Sequence, residues 1–360
     1  MAVRGRRPGG VVELLLASSL PRRLDGPVNV TGAGNAAGGD RPLVVVLGGS
    51  GFIGAAVVEA LARQPIRLRT VGRRPPSVPS GAVAEVQALC TDLTTGAGLR
   101  AAVEGADAVV HLLMHTGGWR EAEGDPAAER VNVGVMRDLV GLLGHGPHPP
   151  VVVFAGTTSQ AGLPERMPLD GSEPDLPATA YDRHKHAAEQ VLKAATADGL
   201  VRGVSLRLPT VYGDSPRGRL TGRGVVSTMV RKAFAGQELT LWHDGTVERD
   251  LVYVHDVADA FLAGIEHADG LVGRHWLLGT GEGVPLGRVL RMIADLVADH
   301  LGRTPVPVVC VPPPDLAAAT DMHSVVIDSS GFRAATGWRP RIPLHTALRR
   351  CVEAYAGETR

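Results

Sequence analysis

Two side chains near the middle of the chain have types and a spacing suited to proton transfer. Tyr181 and Lys185 are four residues apart in a helical pattern that runs from Ala180 to Ala197, so both face the same side of the predicted helix. An ammonium group beside a phenol favours the phenolate. We therefore expect Lys185 to lower the pKa of Tyr181 toward the range of a general acid or base. The same pair also fits an ordinary helix surface, so its meaning depends on its surroundings.

Three hydroxyl side chains precede this helix. Thr157, Thr158 and Ser159 come directly after a predicted buried strand at residues 151–155. Any of them could hydrogen-bond a substrate oxygen beside Tyr181. The alternative is a polar turn or a helix cap, which Ser and Thr often form.

A glycine-rich turn near the start of the regular pattern is suited to a dinucleotide. An apolar strand runs into this turn, and a helical pattern follows it. In such a turn the first glycine permits the bend, the second lets a pyrophosphate approach the backbone, and the third lets the helix pack closely. The helix N-terminus offers unpaired N–H groups to the phosphates. This context favours nucleotide binding over a plain glycine turn, with these candidate residues: Gly48, Ser50, Gly51, Phe52, Ile53 and Gly54.

These residues need a scaffold, and from Arg41 onward strand-like runs alternate with helical patterns. Strands are predicted at residues 43–47, 66–71, 84–88, 108–113, 151–155 and 203–208, and helices at residues 55–63, 98–103, 127–143 and 180–197. This alternation predicts an α/β fold with a Rossmann-type, doubly wound parallel sheet. Such sheets bind ligands at the carboxyl ends of their strands, which is where the hydroxyl groups and the glycine turn lie.

The pattern also divides the chain into domains. Residues 1–40 are rich in Gly, Arg and Pro and read as an N-terminal extension that is partly disordered. Residues 41–212 together with 249–279 are predicted to form the nucleotide-binding domain, because a strand and helix at residues 251–263 are expected to rejoin the domain that contains the sheet. A smaller, discontinuous substrate-binding domain is predicted from residues 213–248 and 280–360, with the substrate in the crevice between the two domains.

Composition excludes several classes of function. The 360 residues contain 37 Lys plus Arg and 37 Asp plus Glu, so no basic excess indicates a nucleic-acid partner. Three scattered cysteines fit a reduced, cytoplasmic protein better than a disulfide framework. The histidines lack the spacing of a zinc site, and no segment predicts a membrane span. We therefore expect no metal, no nucleic acid and no membrane association.

Taken together, the motifs resemble those of the extended short-chain dehydrogenases/reductases, the group that includes nucleotide-sugar epimerases, dehydratases and ketoreductases. The resemblance spans residues 42 to 355. It is carried by the glycine turn, the hydroxyl group and the Tyr181–Lys185 pair, and by five further blocks: Thr91-Asp92-Leu93, Val131-Asn132-Val133, residues 207–213, residues 249–257, and Gly337-Trp338-Arg339-Pro340.

The resemblance implies roles for several residues. Tyr181 exchanges a proton with the substrate oxygen, and Lys185 tunes it and holds the nicotinamide ribose. Counting back from Gly162 assigns the hydroxyl that steadies the same oxygen to Thr157, with Thr158 in reserve. Arg249 resembles the arginine that grips the nucleotide diphosphate; alternatively it pairs with a neighbouring carboxylate, Asp250 or Asp256. Asp92, Leu93 and Pro209 join the cofactor set, and Thr210 replaces an asparagine common in the family, which leaves its sugar contact open.

Two departures from the motifs of the family narrow the class of reaction that we expect. Dehydratases of the group carry an Asp-Glu pair after the catalytic Thr, where this chain has Thr158 and Ser159, so dehydration is set aside. Epimerases usually place an acidic residue at the end of the second strand to bind the NAD ribose. This chain has Arg73 and Arg74 there, which suits the 2′-phosphate of NADPH; a solvated basic turn is the alternative reading.

Several segments further resemble the 4-ketoreductases that act on dTDP-4-keto-6-deoxyhexoses in bacterial antibiotic pathways. They are residues 44–54, 131–140, 207–213, 222–226 and 241–245. The resemblance implies an NADPH-dependent reduction at C4 by a cytoplasmic homodimer. The candidate substrate contacts are Thr158, Thr210, Arg219, Arg223, Trp242 and Arg249. Two alternatives stay open: an NAD-dependent nucleotide-sugar epimerase, and a non-catalytic NADP-binding sensor or scaffold.

Overall fold

The structure is a computed structural model. It describes residues 41–74, 78–115, 117, 123–146, 148–215, 220, 224–242, 244–313, 317 and 319–358. The predicted extension at residues 1–40 and two of the substrate candidates, Arg219 and Arg223, lie outside these ranges.

The described strands form three sheets. The strands are β1 Leu43–Leu47, β2 Arg67–Gly72, β3 Glu85–Cys90, β4 Ala108–His111, β5 Val151–Thr157, β6 Arg202–Leu208, β7 Thr210–Tyr212, β8 Leu239–Trp242, β9 Glu248–Tyr253, β10 His275–Leu277, β11 Gly283–Pro285 and β12 Val308–Val311. The main sheet has seven strands in the order β10-β6-β5-β4-β1-β2-β3, all parallel. This is the predicted doubly wound parallel sheet, with its chain order reversing between β1 and β4.

The described helices connect and cover the strands. They are α1 Phe52–Ala62, α2 Gly96–Val103, α3 Pro126–Glu129, α4 Val135–Leu143, α5 Ala180–Ala197, α6 Val225–Phe234, α7 Val254–Glu266, α8 Ala268–Leu271, α9 Leu286–Leu301, α10 Ser330–Thr336 and α11 Leu344–Glu358. A π-helical segment, Arg130–Gly134, joins α3 to α4. The single helix predicted at residues 127–143 is therefore interrupted by this wider turn.

Alternation along the strands gives the main sheet two apolar faces. In β1, Val44 and Val46 pack into one core with residues of α1 and α7, while Val45 and Leu47 pack into the other with residues of α2, α4 and α5. All five residues of β1 are buried. Helices thus cover both faces, as a parallel sheet requires, and only its strand ends and edges stay open to a ligand.

The strand predicted near residue 251 lies outside the main sheet. β9 pairs with β7 in parallel and with β11 in antiparallel, in a separate three-stranded sheet. Only α7 returns to the main sheet, where it packs against α1. The strand that does complete the main sheet is β10, which the sequence analysis missed because three residues are too short to show a period.

A third core lies in the C-terminal half of the chain. It is built from apolar residues of α6, α9 and α11 with β8 and β9, and includes Val230, Leu239, Ile293 and Leu348. The remaining two-stranded sheet pairs β8 with β12 in parallel. This core lies in the part of the chain where the smaller domain is predicted. The boundaries of the two domains stay a prediction.

A buried ionic cluster ties α5 to the main sheet. Glu189 on α5 is fully buried, and its carboxylate accepts hydrogen bonds from Arg207 on β6 at 2.7 and 3.1 Å, from Lys193 at 2.8 Å and from Ser205 at 2.7 Å. Burial raises the pKa of Glu189, but the hydrogen bonds and charges of Arg207 and Lys193 outweigh burial and hold it at about 2. The cluster fixes α5 against β6 below the strand ends.

We predict that Glu189→Gln lowers the free energy of unfolding by about 3 kcal/mol, because it leaves Arg207 buried with too little counter-charge. Urea unfolding at pH 7 measures the change. The matched control is Glu129→Gln, which removes an exposed ion pair with Arg137 and should cost about 0.5 kcal/mol or less.

The same cluster predicts a pH dependence. The pKa of Glu189 is lower in the folded protein than its ordinary value of 4.5, so its contribution is complete above pH 4.5 and is lost as the pH falls toward 2. The stability gap between wild type and Glu189→Gln should therefore shrink over that interval. Equal unfolding midpoints at pH 7 would contradict this account of the cluster.

Candidate active site

The glycine turn closes tightly over the end of β1. Gly48 has φ +91°, a conformation that residues with side chains rarely adopt. A Cβ atom on Gly54 would lie 2.1 Å from the carbonyl oxygen of Gly48, so the helix can approach the turn only without a side chain there. α1 begins directly after Gly51, and no side chain caps its N-terminus. Its first N–H groups are therefore available to an anion.

A long cleft of about 920 Å³ opens at this turn and follows the carboxyl ends of the strands. Every residue proposed for the cofactor lines it: Gly48, Ser50, Gly51, Phe52, Ile53, Gly54, Arg73, Arg74, Asp92, Leu93, Lys185 and Pro209. The volume of the cleft, the glycine turn and the uncapped N-terminus of α1 together fit a dinucleotide.

The far end of the cleft carries the groups that distinguish cofactors. Arg73 and Arg74 are exposed just after β2. Asp92 follows β3, and its carboxylate accepts hydrogen bonds from the backbone and side chain of Thr94 at 2.9 and 2.7 Å. These bonds hold the pKa of Asp92 below its ordinary value, despite slight burial. Two guanidinium groups and one carboxylate thus line this part of the cleft.

Lys185 is buried on the side of α5 that faces the sheet. Its ammonium group donates hydrogen bonds to the carbonyl oxygens of Ala155 at 2.9 Å and Leu113 at 3.4 Å, and lies 4.8 Å from the ring centre of Phe154. Burial lowers the pKa of Lys185 to about 8. The ammonium group is 6.0 Å from the ring centre of Tyr181, so the two side chains do face the same side of α5.

The expectation that Lys185 lowers the pKa of Tyr181 is wrong for this structure. Burial raises the pKa of Tyr181 above its ordinary value, and the Asp182 carboxylate raises it further, while a hydrogen bond with Thr157 opposes both. Burial is the largest of these effects, and the ammonium group of Lys185 donates its hydrogen bonds to backbone carbonyl oxygens. Tyr181 is therefore protonated and can act as an acid.

The two threonines at the end of β5, Thr157 and Thr158, have different hydrogen-bond partners. Thr157 lines the long cleft and hydrogen-bonds with Tyr181, and its Oγ1 lies 2.8 Å from Ser159 Oγ. The hydroxyl of Thr158 instead donates to the carbonyl oxygen of Leu208 at 3.3 Å. Thr157 is thus the hydroxyl beside the phenol, whereas Thr158 holds β5 to the end of β6.

A smaller cavity of about 240 Å³ adjoins the cleft. The two share five wall residues: Thr157, Tyr181, Leu208, Pro209 and Thr210. The wall of the smaller cavity also includes Leu169, Arg249 and Val325. Tyr181 and Thr157 therefore stand where a cofactor in the cleft would meet a small group in the cavity.

Arg249 lines this cavity, and its hydrogen-bond partners are backbone carbonyl groups. Its guanidinium group donates to the carbonyl oxygens of Thr320, Asp321 and His323 and of its neighbour Glu248. The alternative pairing with acidic neighbours is wrong, because Asp250 accepts from Thr280, Gly281 and Ile327, and Asp256 accepts from Arg341 and Ile342.

Trp242 is placed away from the two cavities. It ends β8, opposite Val311 of β12, and is not among the described residues that line the cleft or the smaller cavity. Its predicted substrate contact gains no support from this position.

The histidines do not form a metal centre within the described residues. His111 ends β4 and is fully buried, and burial together with the nearby Lys185 lowers its pKa to about 3. It is therefore a neutral ring packed edge-on against Phe154.

Among all of the residues that the structure describes, no helix has the length and apolar character needed to cross a membrane.

Sequence reasoning missed Asp182 and Thr179, which belong to the same site. Thr179 caps α5, and Asp182 completes a capping box with it. Both line the smaller cavity. The Thr179-Ala180-Tyr181-Asp182 spacing is the signal that could have revealed the box.

A parallel sheet, a dinucleotide turn and a Tyr–Lys helix pair together define a dinucleotide-dependent short-chain dehydrogenase/reductase of the extended type. The family model for the NAD dependent epimerase/dehydratase family matches residues 44–279, and the chain belongs to that family.

Characterised relatives match over most of the chain. It is 25% identical to dTDP-L-rhamnose 4-epimerase of Burkholderia thailandensis, over 86% of this chain and 93% of the relative. It is 29% identical to dTDP-6-deoxy-L-talose 4-dehydrogenase (NAD(P)(+)) of Kitasatospora kifunensis, over 85% of this chain and 93% of the relative.

A solved structure shows the same fold. The UDP-glucose 4-epimerase of Thermus thermophilus, in complex with NAD, superposes with a TM-score of 0.73 and 26% identity, over 88% of this chain and 99% of that one.

We predict that Gly54→Ala weakens dinucleotide binding at least about tenfold, because the added Cβ would displace the turn that receives the pyrophosphate. Fluorescence titration with NADH and NADPH measures the loss. Gly141→Ala is the control: this exposed position in α4 has no atom within 4 Å of the added Cβ, and its binding should equal that of wild type. Unchanged binding by Gly54→Ala would contradict the assignment of the turn.

Proposed function

We propose that the protein reduces the C4 ketone of a dTDP-4-keto-6-deoxyhexose with NADPH. The observation that carries the proposal is the meeting of the cleft and the smaller cavity at Thr157 and Tyr181, with the phenol protonated. A protonated phenol at that point is suited to the acid step of a ketone reduction.

The residues divide the work of this reduction. Bound NADPH supplies the hydride that adds to the carbonyl carbon. As charge develops on the carbonyl oxygen, Tyr181 donates its proton to that oxygen, leaving a phenolate that recovers a proton from solvent. Thr157 positions the phenol, and the Lys185 ammonium stabilises the transient phenolate. The glycine turn and the start of α1 hold the pyrophosphate.

Arg73 and Arg74 support NADPH over NADH. Both are exposed at the cleft, and β2 ends in Gly72, without the carboxylate that would bind a free ribose hydroxyl. Guanidinium groups bind phosphate through paired, charge-assisted hydrogen bonds.

The names of the two relatives support a dTDP-linked sugar as the substrate and C4 as the carbon that reacts. Both are named for dTDP-6-deoxysugar chemistry at C4, and one is a 4-dehydrogenase using NAD(P)(+). A 4-dehydrogenation run in reverse is a 4-ketone reduction, so the same site serves both directions. We also propose a cytoplasmic homodimer in antibiotic deoxysugar formation, which the resemblance of the sequence supports.

A 4-epimerase is the second candidate, because one relative is an epimerase matched over 86% of this chain. An epimerase retains its NAD and returns the hydride to the sugar. A non-catalytic sensor is disfavoured, because the phenol of Tyr181, the hydroxyl of Thr157 and the ammonium group of Lys185 are all present and line one cleft.

The test is an assay of purified protein with NADPH and a dTDP-4-keto-6-deoxyhexose. We predict stoichiometric NADPH oxidation, monitored by absorbance, and a loss of about 100-fold or more for Tyr181→Phe with NADPH binding retained. Interconversion of sugars without NADPH consumption would overturn the reductase and support the epimerase. Near-normal turnover by Tyr181→Phe would reject Tyr181 as the acid.

A second prediction concerns the choice of cofactor. Arg73→Ala combined with Arg74→Ala should weaken NADPH binding about 100-fold and NADH binding only slightly, because only NADPH carries the 2′-phosphate. Calorimetric titration with both cofactors measures the ratio, and Arg100→Ala, at an exposed position in α2, is the control. Equal losses for the two cofactors would contradict the phosphate contact.

A further inference from the structure

Gly72, the last residue of β2, lies where a doubly wound sheet discriminates between cofactors. A carboxylate at the end of the second strand binds the ribose 2′-hydroxyl group of NAD, whereas a nearby arginine accommodates the 2′-phosphate of NADP. Gly72 lines the cleft together with Arg73 and Arg74, which follow it. A side chain at position 72 would therefore act directly on the choice of cofactor.

The backbone conformation does not require glycine at this position. The φ angle of Gly72 lies outside the left-handed region, and the residue pairs with Cys90 in the parallel ladder between β2 and β3. Residues with side chains adopt such a conformation without strain. The requirement for glycine therefore comes from a neighbouring group.

That group is Ser50 in the glycine turn. A Cβ atom on Gly72 would lie 2.6 Å from Ser50 Oγ and 3.2 Å from Ser50 Cβ. Both distances are shorter than the separation of about 3.5–4.0 Å at which nonbonded carbon atoms pack. Rotation of the hydroxyl group would relieve the first contact. The second would stay, because the backbone of the turn fixes Ser50 Cβ.

Hydrogen bonds hold the turn and the end of β2 together, so neither moves aside easily. The backbone N–H groups of Gly48 and Gly49 donate to the carbonyl oxygen of Val71 at 2.9 and 3.0 Å. On the other side of the strand, the backbone N–H group of Thr91 donates to the carbonyl oxygen of Gly72 at 3.2 Å. The serine side chain of the turn is thus held against the end of β2.

We propose that Ser50 is a specificity-determining residue that forms a steric pair with Gly72. Its side chain fills the space that a carboxylate-bearing side chain at position 72 needs, so the cofactor preference passes to NADH only when both residues are changed. The inference deepens the proposed function and rests on it for NADPH as the preferred cofactor. The steric contact itself is measured without any cofactor.

The first test compares urea unfolding of wild type, Gly72→Ala, Ser50→Gly and the double variant, all free of cofactor. We expect Gly72→Ala to lower the unfolding midpoint in the wild-type background, and the Ser50→Gly background to recover at least half of that loss. A contact of 3.3 Å between the added Cβ and the Arg74 carbonyl oxygen stays in both backgrounds, so the difference reports Ser50. The helix N-cap, Gly51, is also unchanged.

Gly141→Ala is the matched control for this first test. No atom lies within 4 Å of the Cβ added there, so Ser50→Gly should leave its effect on the midpoint unchanged.

The second test measures NADH and NADPH binding in the same cycle with Gly72→Asp. Alone, Gly72→Asp should weaken NADPH binding at least about tenfold through repulsion of the phosphate, without tightening NADH binding. Combined with Ser50→Gly, it should bind NADH at least about tenfold more tightly than Gly72→Asp alone, because the carboxylate then has room to accept from the ribose hydroxyl. Ser50→Ala keeps the Cβ atom and should recover only part of this gain.

Additive effects of the two positions in either cycle overturn the proposal. Tight NADH binding by Gly72→Asp alone overturns it as well, because Ser50 would then leave room for the side chain. A position-72 variant that folds only in the Ser50→Gly background supports the proposal, and one that fails to fold in both backgrounds overturns it. Coupling of the two positions without NADPH oxidation in the sugar assay would support the steric pair and reject the proposed reductase, so the two failures are distinguishable.

Discussion

The active site depends on one buried hydrogen bond, from the ammonium group of Lys185 to the carbonyl oxygen of Ala155. A buried ammonium group is costly unless its donors are used, and among the described residues it donates to carbonyl oxygens of Ala155 in β5 and of Leu113, just after β4. The bond therefore fixes α5 against the carboxyl ends of β4 and β5. Tyr181, one turn earlier on α5, is brought beside Thr157 as a result.

The parallel sheet supplies the other half of the arrangement. Because all seven strands run the same way, the ends of β1, β2, β5 and β6 open onto one edge. The glycine turn, the arginines, the hydroxyl groups and the Pro209–Thr210 wall each follow one of these ends. A single cleft thus collects residues that lie more than 150 positions apart in the sequence.

The sequence predicts the features of the fold that depend on long periodic elements and on local motifs. The bounds of α5 were predicted as the structure has them, and the strands that hold the site were placed within a few residues. β10 was missed, and the separate sheet that contains β9 was not predicted, because pairing of short strands depends on distant partners rather than on local pattern. The pKa of Tyr181 was predicted in the wrong direction, since spacing reveals the neighbouring charge but not the burial that outweighs it.

Ser159 and Asp182 show the same limit. They are 23 residues apart, and nothing in either segment indicates that a hydroxyl group of one would contact the carboxylate of the other. The contact exists because a short 3₁₀ turn at residues 158–161, directly after β5, meets the first turn of α5. Local sequence thus indicates the candidate groups, whereas their contacts and burial depend on tertiary packing.

Isotope transfer tests the central claim most directly, namely that the cleft delivers a hydride to a sugar carbonyl at Tyr181. The purified protein is incubated with NADPH deuterated at C4 of the nicotinamide and a dTDP-4-keto-6-deoxyhexose, and the product is analysed by mass spectrometry and NMR. The account predicts one deuterium at C4 of the sugar for each cofactor oxidised. Product formed without deuterium, or with cofactor unchanged, would contradict it.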